Sequence, residues 1–246
     1  LTERSFRKTR MVFSYGKTED IPYGFLASVT GGAVSSEYFD RPYASADLSY
    51  ADFFGSSAYL AARGAVGNYF RNGRAEDGTL SLTLGAYTSL LPAWRFMARN
   101  FFIIDYIYGY NRLMEDDIAL EEPRGGLDGL SNTGIEGRER LILSWEGVLF
   151  ADWDWYGFRF ALFCCADAGQ AGPRWDSFFD SRYYFSLGGG FRVHNERLIF
   201  DAYELRFMHH PVVPEGADAQ WFRFEAVNNL RFPFLSPTAP RVLSYE

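Results

Sequence analysis

Few groups of residues in this sequence have both the types and the spacing that a chemical site requires. His209 and His210 are adjacent and carry imidazoles that bind metals, but no third ligand is near them in sequence. The acidic stretch MEDDIALEE lacks the spacing of a calcium-binding loop. Asp152 and Asp154 resemble the carboxylate pair of a glycosidase, yet they flank one tryptophan in a tight turn, where aspartate is common. We therefore predict no catalytic residue, no metal site and no cofactor.

Charged side chains recur instead at every second position of apolar segments. Arg140 and Glu146, for example, alternate with Leu141 and Leu143. Successive side chains leave a strand on opposite faces, so each such segment predicts a strand with one charged and one apolar face. Two interpretations of the charged face stay open. Its residues either line a polar interior in which the charges pair with one another, or they take part in gating. Its predicted members are Arg140, Glu146, Arg159, Asp167, Arg192, Glu204, Arg206, Arg223 and Glu225.

Alternating segments of this kind account for most of the chain, and no convincing amphipathic helix interrupts them. Many are longer than a usual globular strand and close to the ~9–11 residues that cross a bilayer at a tilt. The eleven segments are 7–15, 24–32, 44–52, 58–70, 80–87, 94–108, 138–150, 155–167, 183–194, 198–208 and 221–232.

The connections between these segments alternate between short and long. The short ones contain DFFGSS, SLLPAW, FADWDW and VHNER, and the long ones contain RNGRAEDG, RWDSFFDS, HPVVPEGADA and residues 111–133. Most short ones are aromatic, as in the girdles of outer-membrane barrels. A soluble sandwich or lipocalin-like fold explains the alternating faces but not these connections. The sequence therefore predicts an all-β fold, an antiparallel transmembrane β-barrel of outer-membrane type with about 11–12 strands in this chain, as one domain over residues 1–246.

Charge and cysteine content exclude other classes of protein. The net charge is −7 with no long basic patch, so we predict no nucleic-acid partner. Cys164 and Cys165 are adjacent in the sequence. In a strand their side chains would point to opposite faces, so they cannot readily form a disulfide with each other. No stretch is apolar enough for a membrane-spanning helix.

Three motifs in the second half of the chain occur in a recognisable order. GIEGR closes a long loop, FCCADAG follows in a later strand, and SLGGGFRV follows in the next. Together they resemble the BamA-like superfamily of outer-membrane assembly factors and two-partner-secretion transporters. The resemblance implies that GIEGR ends the sixth extracellular loop inside the barrel, and it matches the family's inward Asp and its Gly to Asp167 and Gly169. The residues of the loop motif are Gly134, Ile135, Glu136, Gly137 and Arg138.

Two positions depart from the family pattern. Glu136 stands where the family has an Arg that pairs with the strand Asp, so Arg138 or Arg140 would have to replace it, or this contact is absent. Cys165 stands where the strand motif has Phe or Gly.

The resemblance implies a bacterial outer-membrane protein, not an enzyme, that assists insertion or translocation of proteins or lipids through a weakly paired seam whose last strand is 221–232. The implied partners are outer-membrane lipids, unfolded barrel or secreted-protein clients, and accessory periplasmic or lipoprotein subunits. Two alternatives stay open, a passive pore or membrane anchor and a lipid-modifying enzyme. Strand parity predicts at least one further strand, or a periplasmic domain, upstream of Leu1, within a barrel of about 16 strands. The tail after Phe232 is expected either to plug the interior or to form one more edge strand.

Overall fold

A computed structural model of the chain describes residues 1–12, 15, 18–35, 40–112, 117–122, 125–172, 182–195, 202–227, 232, 235, 242, 243 and 245. Strands dominate these residues, and none of them forms a helix long and apolar enough to cross a membrane.

Sixteen strands follow one another along the described chain, eleven of them in one continuous antiparallel path. The strands on this path are β1 (Thr2–Arg10), β2 (Thr18–Ser35), β3 (Asp40–Phe54), β4 (Ala58–Arg71), β5 (Arg74–Tyr87), β7 (Phe96–Tyr110), β11 (Glu139–Trp155), β12 (Phe158–Gly172), β13 (Tyr184–Asn195), β14 (Ala202–His209) and β16 (Phe222–Val227). The short strands off this path are β6 (Leu91–Ala93), β8 (Ile118–Ala119), β9 (Leu130–Ser131), β10 (Glu136–Gly137) and β15 (Asp218–Ala219). Each predicted segment corresponds to one strand of the path.

Neighbouring strands of the path also follow one another in the chain, as in a meander. Strand β6 joins this sheet beside β7, while β8 pairs with β10 and β9 with β15 in two small sheets. The path begins at β1 and ends at β16, and these two edge strands do not pair with each other. The all-β antiparallel prediction is confirmed at this level.

Many of the predicted boundaries and one predicted loop differ from the structure. The largest shift of a whole segment is in the first one, predicted over 7–15, because β1 begins at Thr2 and ends at Arg10. The second segment, predicted over 24–32, extends from Thr18 to Ser35, and the eighth, predicted over 155–167, ends at Gly172. RNGRAEDG was read as a long loop, whereas Asn72 and Gly73 alone connect β4 to β5. Both residues have positive φ, 50° and 78°, which is the conformation of a tight hairpin turn with an Asn-Gly sequence.

The two faces of the sheet differ sharply in chemistry. We call the face that carries Glu146 and Arg192 the inner face and the opposite one the outer face. From Phe25 of β2 through β16, the central outer positions carry no charged side chain, and many large apolar residues are exposed there. Exposed examples are Val29, Leu48, Leu60, Leu82, Leu84, Ile104, Leu143, Leu162, Phe191, Phe207 and Phe224. Cys164 is exposed and Cys165 buried, and both are free thiols, as alternation predicted.

The core lies on the inner face, where seven strands from β2 to β12 contribute to one buried apolar cluster. Ends of the sheet that are distant in strand order meet there: the ring of Tyr15, between β1 and β2, stacks on that of His194 in β13 with centroids 5.3 Å apart. Arg159 of β12 also donates to the Tyr15 carbonyl. The sheet is therefore strongly curved, and the tip of the β1–β2 hairpin covers the inner face at the end where the short turns lie.

Gly24 explains how this hairpin bends relative to the rest of β2. Its φ of 127° is unfavourable for other residues, and a Cβ there would collide with the carbonyl of Glu3. Before Gly24 the buried inner position is Ile21, and after it the buried inner position is Leu26, so the alternation shifts by one residue at the glycine.

The described residues after β16 lie on the inner face rather than at the edge of the sheet. The ring of Phe232 packs on those of Tyr87 and Phe101, with centroids 5.6 and 6.0 Å away. Leu243 donates its amide to the Tyr43 hydroxyl at 2.7 Å, and the Tyr245 hydroxyl donates to the carbonyl of Arg138 at 3.0 Å. Of the two predicted roles of this tail, the described residues agree with the one that fills the interior.

Candidate functional site

The long connection between β7 and β11 folds onto the inner face and forms the lid of the candidate site. Its strands β8 and β10 pair with each other, and β9 pairs with β15 in the connection between β14 and β16. The carbonyl of Gly129 also accepts from the amide of Gln220 at 2.8 Å. The loop is thereby joined to the strand that forms the edge of the sheet.

Apolar packing holds the loop in place. Leu120, Leu127 and Leu130 are fully buried and pack on Ile142 of β11 and Ala171 of β12. Gly169 leaves the room for this contact, because a Cβ there would lie 2.8 Å from the Ile142 side chain and 3.0 Å from that of Leu120. A glycine at position 169, which the resemblance matches to the family's Gly, is thus required here for a steric reason.

Arg192 of β13 is the centre of the charged residues beneath this loop. Its Nη1 and Nη2 donate to the two carboxylate oxygens of Glu146 at 2.7 and 2.6 Å, and its Nε donates to Glu204 at 2.5 Å. The side chain of Glu204 is only 1% exposed and that of Arg192 is 7% exposed. A planar guanidinium matches carboxylates in this two-pronged manner, and such charge-assisted bonds are the strong ones.

Two further arginines connect this centre to the loop. Arg206 of β14 donates to Glu204 through Nε at 2.5 Å and to Asp128 of the loop through Nη1. Arg223 of β16 donates to the second oxygen of Asp128 at 2.9 Å and to Glu122. Asp128 therefore bridges two strands, and the loop is fixed to the sheet by ion pairs as well as by apolar contact. We call the set Glu122, Asp128, Glu146, Arg192, Glu204, Arg206 and Arg223 the inner charge cluster.

The inner charge cluster is self-paired. Its four carboxylates outnumber its three guanidinium groups, and each arginine contacts at least two of the acids. Buried charges of this kind are tolerated only when they are paired and hydrogen-bonded. The arrangement therefore suits a structural contact that fixes the loop to the strands.

A cavity of about 190 Å³ adjoins the cluster, and its wall combines charged and aromatic groups. Arg192, Arg206 and Arg223 contribute to this wall, as do Asp167 and Phe232. Among the described residues, no group of three or more His, Cys, Asp or Glu side chains is arranged to hold a metal ion.

The predicted loop motif lies elsewhere than expected. Glu136 and Arg138 are exposed, and Gly134 is exposed with a φ of 61°, while Ile135 packs against the apolar contact of the loop. Gly137 is buried because β10 runs close to the backbone of Gly172. The expectation that this turn enters the interior is thus wrong, since the part of the loop that reaches the inner charge cluster is the preceding stretch with Glu122 and Asp128.

The predicted charged face is assembled only in part. Glu146, Arg192, Glu204, Arg206 and Arg223 come together as one cluster. Glu225 lies at its margin, 3.9 Å from Arg223, with 44% of its side chain exposed.

Three other members of the prediction are outside the cluster. Arg140 is buried under the loop and donates to the carbonyl of Ala119 at 3.0 Å rather than to the predicted Asp. Asp167 faces Ser144 across the β11–β12 ladder and lines the cavity. Arg159 lies at the short-turn end, 3.6 Å from Asp154, so its assignment to the network is wrong.

Two buried groups near the short-turn end were not predicted. The side chain of Arg99 is fully buried, with its guanidinium over the ring of Tyr87 at 4.7 Å. Tyr15 is also buried, and desolvation raises the pKa of its hydroxyl well above the usual value despite the nearby positive charge of Arg192. At the opposite, long-loop end, His210 is also buried, with its Nε2 2.9 Å from the Asp128 carbonyl oxygen.

Comparisons with protein-family models, curated proteins and solved structures gave no match to this chain. The candidate function therefore rests on the geometry of the sheet and of the inner charge cluster, with the motif resemblance as an additional expectation.

Proposed function

We propose that this protein is a transmembrane β-sheet protein of the bacterial outer membrane that assists the insertion or translocation of other proteins. Support for the membrane setting comes from the outer face, where apolar side chains are exposed on each strand of the path from β2 to β16 while the central outer positions carry no charge. An apolar exposed face is typical of outer-membrane barrels, whereas the exposed face of a water-soluble sheet is polar. In this frame, the exposed Trp94, Trp153, Trp155 and Tyr156 at the short turns form the interfacial girdle.

The observation that carries the insertion function is the edge of β16. Among the described residues, β16 ends the path of the sheet and pairs with β14 on one side. A client strand that runs antiparallel to β16 can therefore add to its other side, with backbone hydrogen bonds supplying the affinity. In the proposed barrel, this edge faces the first strands of the sheet across a seam.

The inner charge cluster gives this seam a means of control. Arg223 lies in the edge strand and is bound by Asp128 and Glu122 of the loop. Release of the loop therefore frees the edge strand from its inner contacts. A passive pore is the second candidate, but the folded loop, the β1–β2 hairpin tip and Phe232 all occupy the inner face and oppose it.

Cross-linking of the seam tests the proposal. In a Cys164→Ala/Cys165→Ala background, we would join Val29→Cys of β2 to Ala226→Cys of β16 with a short bifunctional reagent. Val29 and Ala226 both lie on the outer face, and in the proposed barrel they are on the two sides of the seam. The expected result is that the joined protein, in vesicles, no longer accelerates insertion of an unfolded barrel client, while each single-cysteine variant does.

The matched control joins two strands that are already paired. Ala62 and Leu84 face each other across β4 and β5 on the same outer face, so a link between Ala62→Cys and Leu84→Cys should leave insertion unchanged. Equal insertion by the seam-linked and control-linked proteins would refute the seam, and large ion conductance without any effect on clients would favour the pore. A chain that stays soluble without detergent would remove the membrane setting altogether.

A further inference from the structure

Strand β1 differs from every other strand of the path in the chemistry of its outer face. Its nine residues include four cations and one acid, in a chain whose net charge is −7. The inner positions are fixed by pairing with β2, where Arg7 lies opposite the buried Ile21. Arg4, Lys8 and Arg10 therefore share the outer face, and all three are exposed.

These three cations have no ion-pair or hydrogen-bond partner within the described part of the chain. The guanidinium of Arg4 lies over the ring of Phe6 at 4.5 Å, and the only acid directly opposite is Asp20, paired in register with Lys8. The surface therefore keeps an excess of unneutralised positive charge, in contrast to the inner charge cluster, where each arginine is paired.

The position of this surface relative to the apolar outer face indicates what it can bind. Arg4 lies opposite Gly24, and the next outer residue of β2, Phe25, begins the apolar face. Along the strand direction, the cations run from Arg4 at the margin of that face to Arg10 at the short-turn end, which is also the level of the exposed Trp153 and Trp155. Cations beside an aromatic girdle are where a membrane presents its lipid headgroups.

We propose that the outer surface of β1 formed by Arg4, Lys8 and Arg10 binds the headgroups of anionic phospholipids at the short-turn side of the membrane. This inference rests on the proposed membrane setting but not on the insertion activity. Three cations near an anionic surface strengthen association by about fivefold each, so roughly a hundredfold together. A zwitterionic headgroup has no net negative charge, so the three cations add little to its affinity.

The test is native mass spectrometry of the detergent-extracted protein titrated with phosphatidylglycerol or with phosphatidylcholine. The variant Arg4→Gln/Lys8→Gln/Arg10→Gln should lose phosphatidylglycerol affinity by up to about a hundredfold and approach the affinity for phosphatidylcholine. Because these side chains make no internal bonds, the fold should survive, which heat-modifiable gel migration checks.

The control variant makes the same change of charge at the opposite end of the sheet. Arg71, Arg74 and Arg182 are exposed at the long-loop end, and Arg71→Gln/Arg74→Gln/Arg182→Gln should keep the wild-type preference for phosphatidylglycerol. An unchanged preference in the β1 variant would overturn the inference and leave an acidic protein segment as the partner of this surface. An equal loss of affinity for both lipids would also overturn the inference, since the substitutions would then act through the fold.

Failure of this inference is separable from failure of the proposed function. A protein that prefers phosphatidylglycerol but inserts no client retains the lipid surface and loses the insertion activity. A protein that inserts clients but shows no lipid preference retains the insertion activity and loses the lipid surface.

Discussion

Replacing Asp128 with Asn should release the loop from the sheet while leaving the strands intact. Asp128 accepts from Arg206 and Arg223, and its side chain is 14% exposed. A hydrogen bond to a charged group contributes about 1.5–3 kcal/mol, and removal of one partner from a buried ion pair costs about 3–5 kcal/mol when the other is left uncompensated.

Here the two arginines keep other partners, which lowers the expected cost. Arg206 retains Glu204 at 2.5 Å, and Arg223 retains Glu122. Asn also preserves the volume of Asp and one acceptor oxygen. We therefore expect Asp128→Asn to destabilise the folded state by about 2–3 kcal/mol, below the value for an uncompensated pair.

The assay follows both global and local stability in detergent. For a chain of this size, 1 kcal/mol corresponds to about 2–4 °C in the thermal midpoint, so the midpoint should fall by roughly 5–10 °C. Limited proteolysis should show faster cleavage between β7 and β11, because the loop is the element that has lost its contact.

The matched control is Asp218→Asn, which changes an exposed acid of the adjoining loop whose carboxylate accepts from Asn132 at 2.7 Å. Exposed contacts of this kind contribute little, so its midpoint should stay within about 2 °C of the wild type. If Asp128→Asn melts and is cleaved like the wild type, the ion pairs do not hold the loop, and our account of the inner charge cluster is wrong.

Three further predictions concern the sheet itself. Leu82→Arg on the outer face should cost about 2–4 kcal/mol and reduce assembly into membranes, whereas Ser81→Arg on the inner face of the same strand should assemble normally, as heat-modifiable migration would show. Gly73→Ala in the β4–β5 turn should lower stability by about 1–2 kcal/mol, because alanine must adopt a positive φ there; an unchanged denaturation midpoint would contradict this. A membrane-permeant maleimide should label Cys164, which is exposed, and spare Cys165, which is buried; mass spectrometry of labelled peptides that showed equal modification would contradict the assignment of faces.

In the later strands, alternation was sufficient to predict which side of the sheet a residue occupies. In β13 and β14, Phe191 and Phe207 are exposed on the outer face and Arg192 and Glu204 are buried on the inner one, as their spacing required. The period of two is a local property, so it does not depend on how the sheet is arranged in space.

The β1–β2 and β4–β5 hairpins show where the strand pattern alone is insufficient to predict the boundaries of the strands. Polar residues occupy both faces of β1, so its boundaries depend on its partner β2 and could not be read from its own sequence. The turn at Asn72 and Gly73 did carry a local signal, because an Asn-Gly dipeptide between two strands is typical of a tight hairpin turn.

The site was predictable on the strands and not in the loop. Glu146, Arg192 and Arg206 lie in periodic segments and were identified as one face. Asp128 lies in an irregular stretch between glycines, and its pairing with Arg206 spans 78 residues, so only the folded structure brings the two together. The motif at Gly134–Arg138 drew attention to the correct loop but to the wrong part of it.

The path of the residues after β16 has a consequence for the order in which the chain folds. Leu243 meets Tyr43 across 200 residues of sequence, and Phe232 packs on the inner face of β4, β5 and β7. Contacts of such separation form late, because a long segment of chain must first be ordered. During folding, the aromatic inner surface of the early strands remains uncovered until the residues after β16 pack on it. A chain arrested before Phe232 is therefore expected to bind chaperones through these aromatic residues and to aggregate more readily than the full sequence.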